Sequence, residues 1–382
     1  MRNAIKHLLG VVLLTLLTLR RMLLGRRRAD EPGKVILLAD IGLGNAVMAL
    51  PLLRSLRLNR PAMEITVLAS PSAAVIFTAA GLADRVIVLK SSAIQRVRQA
   101  AALRREAIDL CLVTFPTLSM PQELLPLWLG ARENRIHDYR PIQPYFHYLL
   151  PLYSVPAAID YSLHDVEQNL TLLPAHWKID TGYPSPVISP RSREAAADFL
   201  TKHGATGEAG YFAMHPGGKR GADYKRWPAA QFRALAGEIF GRFGAPTVAI
   251  LGPDEREMIS SLEAPFLIPL VTNDLEITIA VLEKSRYFIS NDSGLMHVAS
   301  LLGRPQMAIW GATDPRRNRA WNPHAVNLFN ESVPCWPCIR FIPTGAHRSC
   351  LRECLAGVTV TAAMGLLVQH LSQFESGRHP LP

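Results

Sequence analysis

The sequence predicts an α/β protein built from two Rossmann-like parallel-sheet domains, and three observations carry that expectation. The chain is 382 residues long, more than one ordinary core serves and enough for two domains of roughly 150 to 190 residues each. Through both halves, short apolar runs alternate with longer helical stretches, the pattern of successive βαβ units. Between the halves, Pro174, Gly182, Pro184, Pro186 and Pro190 interrupt both kinds of regular structure and mark a linker.

The elements follow in order. Residues 1–33 form a separate N-terminal segment in which seven basic residues (Arg2, Lys6, Arg20, Arg21, Arg26, Arg27 and Arg28) precede the first acid, Asp30. Leu8 to Leu19 is an apolar run too short for an ordinary transmembrane helix, which needs roughly 17 to 25 residues. No small-residue cleavage site stands before the arginines, as a secretory signal requires. A membrane-surface helix fits better, its leucines in the acyl boundary and its arginines on anionic headgroups, with the body of the protein at the cytoplasmic face. The alternative is an apolar helix packed on the protein itself. With these seven basic residues set aside, only about +3 of the formal net charge of +10 remains, which argues against a nucleic-acid-binding face.

Residues 34–180 form the first domain, with expected strands Val35 to Ala39, Ile65 to Ala69, Val86 to Leu89 and Leu110 to Phe115 and a helix from Ala46 to Arg57. Residues 181–382 form the second, with strands Tyr211 to Met214, Thr247 to Leu251, Tyr287 to Ser290 and Met307 to Trp310. Open parallel sheets bind ligands beyond the carboxyl ends of their strands, so two such domains facing each other predict a cleft between those ends.

Three turns at strand ends have the composition of ligand sites. The first, Asp40-Ile41-Gly42-Leu43-Gly44-Asn45-Ala46, is a glycine turn opening a helix whose amides can face an anion, or simply a tight packing turn. A dinucleotide fingerprint needs a third small residue at Val47 and an acid ending the next strand, where Ser70-Pro71 stands, so an NAD enzyme is disfavoured. The second is Met214-His215-Pro216-Gly217-Gly218 with Lys225-Arg226-Trp227-Pro228 before a helix from Ala229 to Phe240. Its glycines let backbone amides approach a phosphate and Lys225 adds a point charge. The third is Ser290-Asn291-Asp292-Ser293-Gly294-Leu295-Met296-His297. Here Asp292 or Ser293 is expected to cap a helix closed by Gly303 and Pro305, Gly294 clears space for a ligand, and His297 lies on the first turn.

These segments resemble the heptosyltransferases, glycosyltransferase family nine. Asp292 to His297 followed by Gly311-Ala312-Thr313-Asp314-Pro315 is similar to the family's donor-site signature, and Ile41 to Leu56 to its first-domain start. His215-Pro216-Gly217 with Lys225 to Pro228 is similar to its phosphate-binding loop, and the likeness runs from Lys34 to about Leu371. The resemblance implies the two-Rossmann-domain architecture called GT-B and inverting, metal-independent transfer from an ADP-heptose-like nucleotide sugar to lipopolysaccharide core at the inner membrane. No cofactor is required on this reading, and the chain has no D-x-D metal-diphosphate motif. Donor binding falls to Gly217, Gly218, Lys225, Asp292, Ser293, Gly294 and His297, with Gly42 and Gly44 on the acceptor side. One residue departs from the family: its glycine turn usually ends Gly-Asp, that aspartate being taken as the base, and here Asn45 follows Gly44. An amide accepts no proton near neutral pH, and Asp40 is the nearest substitute in sequence.

Cys335-x2-Cys338 and Cys350-x3-Cys354 have spacing that suits a structural zinc, with reduced structural thiols as the alternative. Aromatic and basic residues from His137 to Tyr153 suit stacking on acceptor sugars and meeting acidic lipid headgroups or, equally, packing between the two domains. Two functions from different classes stand: a glycosyltransferase, and a catalytically silent nucleotide-sugar-binding scaffold at the membrane surface. A lipid-surface binding module is a third, resting on the N-terminus alone.

Overall fold

The computed structural model describes residues 32–117, 120–143, 145–219, 221–339 and 352–377. The N-terminal segment expected to lie on a membrane surface therefore falls outside the described residues, apart from Pro32 and Gly33, and so does Cys350. Among the described residues no helix is long and apolar enough to cross a membrane. The chain divides into two compact units, the first ending at Pro184 and the second beginning at Ser185.

The first unit holds six parallel strands: β1 (Lys34–Ala39), β2 (Glu64–Ala69), β3 (Arg85–Val88), β4 (Leu110–Val113), β5 (Glu133–His137) and β6 (Val155–Ala157), in the order β3-β2-β1-β4-β5-β6. The second holds β7 (Phe212–His215), β8 (Thr247–Leu251), β9 (Leu267–Val271), β10 (Phe288–Asn291), β11 (Gln306–Ile309) and β12 (Ala325–Leu328), in the order β12-β11-β10-β7-β8-β9. Each is the doubly wound Rossmann order, so the direction of winding reverses between β1 and β4 and again between β7 and β10. Central strands are covered on both faces and read as continuous apolar runs: Val35 to Ala39 and all of Thr247 to Leu251 are buried.

All eight strands expected from apolar runs are present, and four others were not legible. β5 is polar, yet its Glu133 is fully buried and meets Arg135 Nε at 2.5 Å. β6 and β9 are edge strands carrying Pro156 and Pro269, which an edge tolerates because one side of the strand needs no ladder hydrogen bond. The helix expected over Ala46 to Arg57 is two helices, Leu43–Met48 and Leu50–Asn59. Pro51 has no N–H to continue the ladder onto the preceding turn, so the axis breaks at Ala49.

The segment between the units is pinned at both ends. On the first unit, Arg54 Nε donates to Asp180 Oδ2 at 2.9 Å and Nη1 to the Tyr183 carbonyl at 2.7 Å, while Asn59 exchanges two hydrogen bonds with the backbone of Lys178. On the second, Glu276 Oε2 accepts from Ser189 Oγ at 2.5 Å and Ser192 Oγ at 3.0 Å.

Aromatic packing fills the region behind β4 and β5. Phe115 stacks on Tyr139, Tyr139 meets Phe146 edge-on at 5.6 Å, and Phe146 stacks on Tyr153, all four buried. His137 is buried among them and burial lowers its pKa to about 4. Of the aromatic and basic residues considered for sugar stacking, these belong to the core of the first unit, whereas Tyr148 is 74% exposed.

Against this cluster lies Glu123, fully buried on the helix Met120–Leu129, with no hydrogen bond to either carboxylate oxygen among the described residues. Burial pushes its pKa up to about 7. The folded protein therefore keeps a proton that the unfolded chain releases. With the folded pKa above the unfolded one, stability falls as pH rises from about 4.5 to about 7 and the slope then ends. We expect Glu123→Gln to flatten that slope and to raise the melting temperature at pH 8, read by thermal denaturation between pH 5 and 8; parallel curves for parent and variant would exclude an ionising Glu123.

Candidate functional site

Both sheets place the residues singled out from sequence at their reversal points, where strand ends leave a crevice for ligands. In the first unit Asp40 follows β1. Its carboxylate meets Arg96 Nη1 at 2.5 Å, and its carbonyl accepts from Gln122 Nε2. The neighbouring Ile41 carbonyl accepts from Ser70 Oγ at 2.6 Å. Three side chains thus fix a turn that the sequence showed only as glycine-rich. Gly42 is exposed with φ −72°, and an added Cβ there meets nothing within 4 Å. The turn geometry does not demand glycine at this position. Asn45 is half-buried within Leu43–Met48, the helix that Gly44 also belongs to.

In the second unit, register brings the two loops together: Ser290 of β10 pairs with His215 of β7, so Pro216 to Gly218 and Asn291 to Ser293 leave the sheet side by side. Asn291, wholly buried, joins them. Its Nδ2 donates to the carbonyls of Pro216 at 2.8 Å and Gly217 at 3.0 Å, and its Oδ1 accepts from the Trp227 amide at 2.9 Å. Trp227 is anchored in turn through Nε1 to the Val358 carbonyl at 2.9 Å.

Glu255 fills the space beside the glycines. It accepts from the Gly218 amide at 2.6 Å and the Gly252 amide at 2.8 Å, and a Cβ on Gly217 would stand 1.9 Å from its Oε1. Gly218 has φ +153°, a backbone that side chains rarely adopt. The expectation that these glycines offer their amides to a phosphate needs correcting for Gly218, whose N–H is directed at Glu255. Gly217 is required by the close approach of that carboxylate, and Gly218 by its backbone conformation. Glu255 was missed in sequence; Gly252-Pro253-Asp254-Glu255 after an apolar strand has the spacing of a capping box and was the available signal.

Lys225 Nζ meets Asp292 Oδ2 at 2.6 Å, and the same oxygen accepts from Thr313 Oγ1 at 2.7 Å. Asp292 is therefore turned toward the lysine and does not cap the helix Gly294–Leu301, and Ser293 at the N-cap makes no capping hydrogen bond either. Both capping expectations fail for this reason: one carboxylate serves Lys225 and Thr313, and the Ser293 hydroxyl is buried without a partner among the described residues. The first-turn amides of that helix, with the partial positive charge of its dipole, are left without a side-chain cap. His297, on the same turn, is buried with Nδ1 unpartnered among the described residues. Burial lowers its pKa to about 4; Lys225 pushes the same way and Asp292 opposes, so the ring is neutral at pH 7. Gly303 ends the segment in the left-handed region at φ +62°.

The structure thus brings Gly217, Gly218, Lys225, Asp292, Ser293, Gly294 and His297 into one neighbourhood, and adds Asn291, Glu255 and Thr313. The cysteines are not a cluster within the described residues: Cys335 is exposed, Cys338 half-buried, and Cys354 part of the apolar core of the second unit. No group of three or more possible metal ligands assembles among the described residues.

Asn291→Ala should strip three buried backbone groups of their partner at once, at a cost of roughly 2–4 kcal/mol. Urea denaturation measures this, and a midpoint equal to the parent's would show that the loops hold without the amide.

With this geometry in hand, comparison with known proteins is specific. Residues 130–342 match the family described as glycosyltransferase family 9 (heptosyltransferase). Lipooligosaccharide heptosyltransferase 2 of Haemophilus influenzae is 26% identical over 145 residues, which is 34% of this chain and 42% of that protein. The aligned segment thus spans less than half the length of that relative. Among solved structures, E. coli ADP-heptose lipopolysaccharide heptosyltransferase II superposes with a TM-score of 0.70 at 19% identity, covering 90% of this chain and 99% of that one. The E. coli heptosyltransferase WaaC, solved with ADP, gives 0.66 at 20% identity over 88% and 99% of the two chains. These likenesses establish the GT-B type of fold, two doubly wound parallel sheets in one chain. The family match extends over more than half of the sequence and contains the three loops that meet at Asp292, and on that ground the chain belongs to glycosyltransferase family 9, the heptosyltransferases.

Proposed function

We propose that the protein transfers heptose from a nucleotide-diphosphate heptose to a lipopolysaccharide core or related glycolipid, inverting the anomeric carbon and using no metal. One observation carries the donor half: an uncapped helix N-terminus, the Lys225 ammonium and a neutral His297 stand around one strand-end crevice. Backbone amides and a lysine can stabilise the charge that develops on a departing diphosphate, the task a metal performs elsewhere. A related enzyme solved with ADP supports a nucleotide diphosphate as the ligand.

Transfer to a hydroxyl also needs a proton acceptor. Asp40 is assigned that role, one face of its carboxylate held by Arg96 and its side chain 14% exposed. A second reading, a silent nucleotide-sugar binder, is favoured by two particulars: Asn45 cannot act as base, and Asp40 is already ion-paired. Mass spectrometry of a donor panel with lipopolysaccharide core as acceptor separates the two. Transfer selects the enzyme, and binding without turnover selects the scaffold. Given transfer, Asp40→Asn should lower turnover by about 10² to 10⁴ with donor affinity little changed. If Asp40→Asn is silent while Asn45→Asp raises the rate sharply, the assignment to Asp40 is wrong.

The acceptor's location follows from the N-terminus. We place the protein peripherally on the cytoplasmic face of the inner membrane, held by residues 1–33 with their seven basic side chains. Deleting residues 1–28 should release it to the soluble fraction with its fold intact, and high salt should weaken attachment of the full chain. Unchanged co-sedimentation with membranes after the deletion would refute this.

A further inference from the structure

Lys225 reaches the site from a single 3₁₀ turn, Asp223–Lys225, and its side chain is 24% exposed. A lysine on so short an element has four flexible methylenes and no fixed direction of its own. Its direction is set by Asp292 Oδ2, 2.6 Å from Nζ. That oxygen is fixed by a second donor, Thr313 Oγ1 at 2.7 Å, in a contact both of whose residues are 6% exposed. The Oδ1 atom makes no hydrogen bond among the described residues, so the Thr313 hydroxyl is what orients this carboxylate apart from the lysine itself.

The Thr313 hydroxyl is not needed to hold its own loop. The Ile339 amide donates to the Ala312 carbonyl at 2.9 Å and the Asp314 amide to the Ile339 carbonyl at 3.2 Å, bracketing Thr313 by backbone alone. Gly311 admits the Tyr224 carbonyl so closely that a Cβ would lie 2.2 Å from it, and the Ala312 amide donates to that carbonyl at 3.3 Å. Backbone packing therefore sets residues 311–313 against residues 224–225, and the hydroxyl is left to act on the side chains.

We propose that Thr313 is a positioning residue of the donor site: by fixing Asp292 Oδ2 it fixes the Lys225 ammonium where the outer phosphate of a nucleotide diphosphate binds. The effect is selective. An ammonium held against one carboxylate oxygen presents its remaining hydrogens in a defined direction, and loss of the hydroxyl lets the carboxylate rotate and carry the ammonium with it. A ligand lacking the second phosphate has nothing to lose from that rotation.

This rests on the donor-site reading above, and the experiment keeps the two apart. Binding of ADP and of AMP is measured by titration calorimetry on the full chain carrying Thr313→Val, Thr313→Ser or no change. Thr313→Val should weaken ADP by roughly tenfold, as for a disturbed charge-assisted hydrogen bond, and leave AMP within twofold. Thr313→Ser should restore ADP binding, because it returns the hydroxyl. If the valine variant does not fold, Thr313→Ala, which adds no atoms, takes its place with the same expectation. Unchanged ADP binding in the hydroxyl-less variant overturns the proposal, and equal weakening of ADP and AMP overturns it in favour of a purely structural threonine. A parent protein that binds neither nucleotide refutes the donor-site reading itself, and the proposal with it.

Discussion

The second unit's loops depend on one buried amide. Asn291 is the last residue of β10, and its side chain holds two carbonyls of the loop after β7 and the amide of Trp227 before the next helix. None of these backbone groups has a sheet partner once the strands have ended, and each is buried where water cannot serve. A hydrocarbon side chain at this position leaves three polar groups unpaired, and a carboxylate turns two attractive contacts repulsive. The glycines, Lys225 and Asp292 take their places relative to this joint, which is why residues far apart in sequence form one site.

Charge in both strand-end sites is compensated within the protein before any ligand arrives. Asp292 is matched by Lys225, Asp40 by Arg96, and Glu255 by two backbone amides. A buried, uncompensated charge is costly, so such pairs keep the crevices stable in water. On the proposed donor-site reading, a phosphate would have to share a lysine that already has a partner. The uncapped amides of Gly294–Leu301 and the neutral ring of His297 carry no such commitment among the described residues, and they are the groups an incoming oxygen meets on equal terms. Glu123 is the exception in the first unit, a carboxyl left without a donor and kept partly protonated by its surroundings.

The fold was legible where physics acts locally. Buried parallel strands need continuous apolar residues, so β1, β2, β7, β8 and β10 announce themselves, while β5 hides because Glu133 and Arg135 satisfy each other inside the sheet. The strand-end residues of the second unit stood out because glycine, lysine and aspartate cluster there. Their mutual relations did not: an aspartate before a helix is read as a cap, and only tertiary packing of residues 311–313 against 224–225 shows that it is claimed by Lys225 and Thr313. Glu255 and Arg96 escaped for the same reason, each lying many residues from the turn it stabilises. The aromatic stretch from His137 to Tyr153 illustrates an ambiguity of composition, since rings suited to stacking on sugar are equally suited to stacking on each other, and four of these rings are buried together.

The segment joining the two units is tied down on each side by residues of the unit it is leaving or entering: Arg54, Ser55 and Asn59 secure it as far as Tyr183, and Glu276 takes hold again at Ser189. Only Pro184 to Ile188 lie between those ties, and Val187 there is 71% exposed. Ile188 is buried, but neither hydrophobic core relies on the continuity of Pro184 to Val187, because each unit fastens its own chain end. The consequence is local: this is the stretch of the described chain where a protease site or an affinity tag can be introduced without cutting the hydrogen bonds that fasten either chain end.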